Sequence, residues 1–257
     1  MRTMVLNTRY IAVKEIRTYF ASPMAYVVAA AFLAITGFFF VASVSEAFSE
    51  ASVRGFAAGA IFFMIFLSPA LTMRLLSEEQ KLGTLELLLT SPLRETEIVA
   101  GKFLAALAML TIMLAGTLYY VLVLFIFGVP DIGPILTGYL GMVLYGAATL
   151  AIGLTASAVT SNQLVALVVG AGLLTGFTVV DFIAERLSGI AEQVLNGFQL
   201  GSSFTSFDVR SFGVAGGGHF ADFSRGIISV GDIAYYVTIT LVFLFLTVVF
   251  LEIRRWR

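Results

Sequence analysis

Six stretches of this chain run for about twenty residues with almost no charge: 23–44, 55–74, 103–128, 135–158, 163–182 and 232–251. That pattern constrains the fold more than any other feature. An α-helix rises 1.5 Å per residue, so about 20 apolar residues cross the roughly 30 Å hydrocarbon core of a bilayer. In lipid, every backbone N–H and C=O needs a partner within the protein, and a helix supplies one locally. The sequence therefore predicts an all-α integral membrane protein with six transmembrane helices in a single membrane domain, 1–257. Composition agrees: 59% of residues are hydrophobic and 12% charged, against roughly 25% charged in soluble domains. A net charge of -1 gives no electrostatic case for nucleic acid. The absence of cysteine excludes disulfides, zinc-thiolate sites and cysteine nucleophiles.

Lys and Arg set the orientation. With the N-terminus inside, eleven of the fifteen basic residues fall on inner segments, and only Arg54, Arg186, Arg210 and Arg225 fall outside. Both termini are then cytoplasmic. The first span is too long for a signal-peptide core and reads as an anchor. Ahead of it, residues 1–22 mix Val5, Ile11, Val13, Ile16, Tyr19 and Phe20 with Arg9, Lys14 and Arg17. This predicts an amphipathic helix on the inner leaflet, with a plain positive flank as the alternative. Ser22-Pro23 and Ser91-Pro92 each place a capping hydroxyl before a proline suited to a first helical turn. Pro69, inside the second span, reads equally as a kink with a role or as a proline tolerated by its neighbours.

The outer face carries one long segment, 184–231. Leu187, Ile190, Ala191, Val194, Leu195 and Phe198 predict a short amphipathic helix there, followed by a Gly-, Ser- and Phe-rich stretch containing Gly216-Gly217-Gly218. This second part is expected to form an ordered cap or re-entrant piece, with a mobile glycine loop as the alternative.

The chemistry that is missing narrows the function. There is no H-E-x-x-H, no G-x-S-x-G and no G-x-x-x-x-G-K-[ST] motif, so the chain reads as no enzyme and binds no ATP through a P-loop of its own. His219 is the only histidine, and one residue does not make a metal site. A loop hydrogen bond is its expected role. Asp181 and Glu185, at the outer end of the fifth span, are the only candidates for proton or sodium coupling. If the protein moves something, the energy enters from elsewhere.

One dense island of charge interrupts the apolar sequence. Residues 77–97 hold seven of the 31 charged residues, on the inner side between spans 2 and 3. Ser77-x-x-Gln80 has the spacing of a capping box. Leu82, Leu85, Leu88 and Leu89 give an apolar stripe, with Glu78, Lys81 and Glu86 as polar groups. Gly83 either allows a close backbone approach or marks a break. The island reads as a short amphipathic helix that a soluble partner can push, or as an ordinary charged loop.

The run from Pro69 to Pro92 resembles the signature of ABC-2 type transporter permeases, in which E-x-x-x-G-T-x-E-L-L forms a coupling helix between spans 2 and 3. Glu79, Gly83, Thr84, Glu86, Leu87 and Leu88 match it, and Gly101-Lys102 fits the start of span 3. Lys14-Glu15 with Ser22-Pro23, and His219-Phe220-Ala221-Asp222-Phe223-Ser224-Arg225-Gly226 followed by Asp232, are similar to the gliding-motility-type branch. The resemblance implies a permease in a bacterial or archaeal cytoplasmic membrane. It implies a cytoplasmic ABC ATPase subunit that holds ATP and magnesium, a second permease chain, and room for a periplasmic accessory subunit. It assigns ATPase coupling to Glu78, Glu79, Lys81, Gly83, Thr84, Glu86, Leu87 and Leu88 in segment 77–93. In the external segment it picks out His219, Phe220, Phe223, Arg225, Gly226 and Asp232. An exporter is one outcome; a membrane subunit of a mechanical or assembly machine is the other. Glycines 138, 141, 146, 153, 170, 172 and 176 of spans 4 and 5 serve close helix contacts, within the subunit or beyond it.

Overall fold

The computed structural model describes residues 2–44, 54–90, 93–184, 200–201, 207–208, 213–214 and 219–255. Its helices are α1 (Arg2–Ala21), α2 (Pro23–Val44), α3 (Arg54–Lys81), α4 (Thr84–Thr90), α5 (Glu95–Gly116), α6 (Leu118–Phe127), α7 (Ile132–Val159), α8 (Gln163–Ala184), α9 (Ala221–Ser224) and α10 (Val230–Arg255). Among the described residues, six stretches are long and apolar enough to cross a membrane: Pro23–Val44, Gly59–Lys81, Glu95–Phe127, Ile132–Val159, Gln163–Val180 and Val230–Arg254. The all-α, six-span architecture stands. The only paired strands among the described residues are two residues each, Phe207 opposite Val214 and Asp208 opposite Gly213.

The bundle is built around α3 and α7, which are buried along most of their lengths, while little of α2 and α10 is buried. Lipid tails are as apolar as leucine, so helix association in a bilayer rests on close packing and hydrogen bonds. Both are concentrated between α3 and α7. A Cβ on Gly153 would strike Thr72 and crowd Pro69, and one on Gly146 would strike Leu110 of α5. Ser68 and Thr149 share a hydrogen bond of 2.7 Å across the pair. The Ser157 hydroxyl donates to Met73 O at 2.9 Å and accepts from the backbone N–H of Leu76 and Ser77 at 3.2 and 3.1 Å. Its one donor and both lone pairs are then used.

Pro69 does not interrupt α3. Gly153 of α7 and Gly170 of α8 both lie against its ring or backbone, so the proline is held by its neighbours. Gly141 faces Phe220 and Phe223 at 2.8–2.9 Å from an added Cβ. These three glycines, and Gly146, serve packing within the subunit. Gly138, Gly172 and Gly176 meet nothing within 4 Å. At the start of α7, the Asp131 carboxylate accepts from Gly133 N at 3.0 Å and caps the helix, with Pro134 in its first turn.

Several local expectations need correction. The helix of the second span does not stop at residue 74; α3 continues through Ser77–Lys81. Ser77 is therefore not a cap. Its hydroxyl donates to Met73 O within the helix, and the Gln80 amide donates to Ala158 O at 2.9 Å. The helix of span 3 starts at Glu95, where Arg94 N–H donates to the Glu97 carboxylate at 3.1 Å. Ser91-Pro92, the expected outer helix at 187–198, Gly216–Gly218, Glu185 and the Asp181 side chain lie outside the described residues.

Candidate functional site

At one end of the bundle, α1, the end of α3, α4 and the start of α5 converge. Residues i, i+3, i+4 and i+7 of α1 turn toward the protein: Ala12, Glu15 and Tyr19 are buried and Ile16 half-buried. Leu6, Tyr10, Val13 and Phe20 form a separate exposed apolar stripe. The helix is thus apolar on two sides, one packed on protein and one left open. Gly101 makes the crossing of α1 over α5 possible, since a Cβ there would lie 2.7 Å from Ile11 and 3.0 Å from Thr8 O. Asn7 donates to Glu97 Oε2 at 3.2 Å. On the α3 side, the Tyr19 hydroxyl donates to Leu71 O at 2.6 Å. Arg74 donates to Ser22 Oγ at 2.8 Å and stacks over the Tyr19 ring. Burial pushes the Tyr19 hydroxyl well above its ordinary pKa, against the pull of Arg74.

Lys102 lies at the centre of this convergence. It is 1% exposed, and its ammonium donates to Glu15 Oε1 at 3.0 Å and to Glu79 Oε1 at 2.8 Å. One buried cation joins three helices. Glu79 Oε2 and Gln80 Oε1 are buried with no hydrogen-bond partner. Above the cluster opens a groove of about 500 Å³, walled by Thr18, Arg74, Glu78, Leu82 and Leu88.

The island residues fall on and around this groove. Gly83 ends α3 with φ +69°, and a Cβ there would meet nothing within 4 Å. It marks a break, and no group of the described chain approaches it closely. Beyond it, α4 buries Leu85 and half-buries Leu88, while Leu82 and Leu87 are 67% and 72% exposed. Of the expected stripe, Leu85 and Leu88 turn inward and Leu82 does not; the Leu89 side chain lies outside the described residues. Glu78 is half-buried; Lys81, Thr84 and Glu86 are exposed.

The external residues gather at the opposite end. His219 Nδ1 lies 2.6 Å from Asp232 Oδ1, and its ring stacks on Tyr235 with centroids 3.9 Å apart. Phe220 and Phe223 are fully buried against α7, and Thr137 donates to Phe223 O at 2.7 Å. Gly226, at φ +88°, turns the chain over Pro134. Arg225 is exposed. The His219–Asp232 contact is the hydrogen bond expected of the lone histidine.

The residues missed by sequence reasoning are Glu15 and Lys102 in their shared role. Each stands in the sequence only as part of a family-like pair, Lys14-Glu15 and Gly101-Lys102, and only the spacing of Glu15 with Ala12, Ile16 and Tyr19 hinted that it faces inward.

The structure thus defines a polytopic helical membrane protein with a charged, exposed segment at the end where α1, α3 and α5 meet. A family model for ABC-2 family transporter proteins matches residues 9–254, and the chain belongs to that family. It is a membrane subunit of an ABC transporter; the match assigns no branch within the family. No curated protein matches the chain.

Proposed function

We propose that this chain is the permease of an ATP-driven exporter in a bacterial or archaeal cytoplasmic membrane, worked by a separate ABC ATPase that docks on segment 77–93. The carrying observation is the form of α4: a short helix set off by the Gly83 turn, showing Glu86 and Leu87 outward while Leu85 anchors it to the bundle. An apolar tip flanked by charge, at the end of a buried helix, suits a partner that must push on it. Glu78, Lys81 and Thr84 extend the contact, and Glu79 and Leu88 seat it. ATP and magnesium belong to the partner. The termini fit this orientation, since Arg254 donates to Val159 O at the same end where Gln80 meets Ala158. A second permease chain completes the unit, and α8 offers the open glycines Gly172 and Gly176 toward it.

A second reading, a membrane subunit of a mechanical or assembly machine of the gliding-motility type, is favoured by one feature. Ile227, Ile228 and Val230 form an exposed ledge beside the wedged α9, a place for a periplasmic accessory partner. The test common to both is copurification from native membranes. An ABC ATPase should come with the chain, and its ATP turnover should rise when the chain is present. A pure permease that brings down no ATPase contradicts both readings, and stimulation by a small solute separates the first from the second.

A further inference from the structure

We propose that Lys102 is a positioning residue for coupling, and that its two carboxylates let the inner end of α3 release from α5 without stranding a buried ammonium. The inference rests on the reading of 77–93 as the ATPase-facing segment.

At its buried centre the cluster sets two carboxylates against one ammonium; the other cation, Lys14, is largely exposed and 3.9 Å from Glu15 Oε1. One carboxylate balances one ammonium, and Glu15 at 3.0 Å already does so. Glu79, at 2.8 Å, adds a second negative charge and leaves its Oε2 buried without a partner. Burying extra charge costs free energy, and a buried ion pair adds little to stability. The excess carboxylate needs another explanation.

Connectivity supplies one. Glu15 and Lys102 sit on helices joined independently of them, through Gly101 against Ile11 and Thr8 and through Asn7 on Glu97. These two residues therefore stay together. Glu79 sits four residues before the Gly83 turn, on the stretch that carries α4. A pull on α4 bears on the Glu79 contact. If that contact opens, Lys102 keeps Glu15, and Glu79 enters the groove it already lines, where water can solvate it. Both charges are satisfied in both arrangements, so the two states lie close in free energy. Switching elements need such a bistable contact.

Two chemically identical substitutions then act in opposite directions. Glu79→Gln removes the releasable carboxylate and favours the open arrangement. Glu15→Gln leaves Lys102 dependent on Glu79 and favours the closed one. Each retains one carboxylate for the ammonium, so each should fold. Spin labels on Thr18→Cys and Leu82→Cys, across the groove of this cysteine-free chain, report its width in the complex with the copurifying ATPase. The wild-type complex should show two distances whose ratio changes on adding a non-hydrolysable ATP analogue. The ratio should move about tenfold toward the long distance in Glu79→Gln and about tenfold toward the short one in Glu15→Gln, with stimulated ATP turnover lowered in both. A shift in the same direction for both variants, no shift in either, or a single nucleotide-independent distance in an active wild-type complex overturns the inference and leaves the coupling reading intact. Absence of any copurifying ATPase overturns both.

Discussion

Gly83 sits in the left-handed region, φ +69°, with open space where a side chain would go. Within the chain the restriction is therefore conformational. A β-branched residue there strains the turn by about 1–2 kcal/mol, whereas asparagine tolerates it. Gly83→Val is expected to lower ATPase-stimulated turnover markedly while Gly83→Asn stays near wild type, measured in proteoliposomes with the partner. Equal loss in both would mean that side-chain bulk matters instead. This residue also shows where sequence reading stops. A glycine in a charged run is visible, yet its φ is not, and both explanations fitted. Lys102 was less legible still. Its burial depends on α1 folding back over α5, a long-range contact that no local pattern encodes, so the Gly101-Lys102 match at the start of span 3 gave no sign of the ion pairs.

At the scale of helices, the six spans were legible because length and apolarity are local properties that the bilayer reads directly. The ends were not. Ser77 and Gln80 have the spacing of a cap, but Ser157 and Ala158 of α7 bind the α3 extension and keep it helical. Tertiary partners overrode the local signal. The same distinction sorts the glycines. Gly153 has Thr72 and Pro69 in the space of its missing Cβ, and Gly172 has nothing. Gly153→Val should destabilise the detergent-solubilised protein by roughly 1–3 kcal/mol, as overpacked cores do, lowering its unfolding temperature. Gly172→Val should leave that temperature unchanged in the isolated chain. If Gly153→Val melts like wild type, the α3–α7 contact is looser than its geometry implies.

For the whole molecule, the island, α1 and the end of α10 share one end of the bundle, and His219, α9 and Arg225 lie at the other. We read the first end, with its excess of Lys and Arg, as the cytoplasmic one. The chain has no native cysteine, so single cysteines report sidedness cleanly. Arg225→Cys should react with a membrane-impermeant maleimide in intact cells, and Glu86→Cys only after permeabilisation; the reverse pattern would refute the orientation. The central claim is that an ATPase drives this chain through segment 77–93. Its most direct test is ATP turnover by the copurifying ATPase in proteoliposomes, with wild-type permease and with Glu86→Lys. A reversed charge on an exposed rim position weakens a complementary interface without touching the fold. The account predicts that Glu86→Lys inserts and melts like wild type, and that turnover falls to the rate of the ATPase alone. Wild-type stimulation by the Glu86→Lys chain would contradict it.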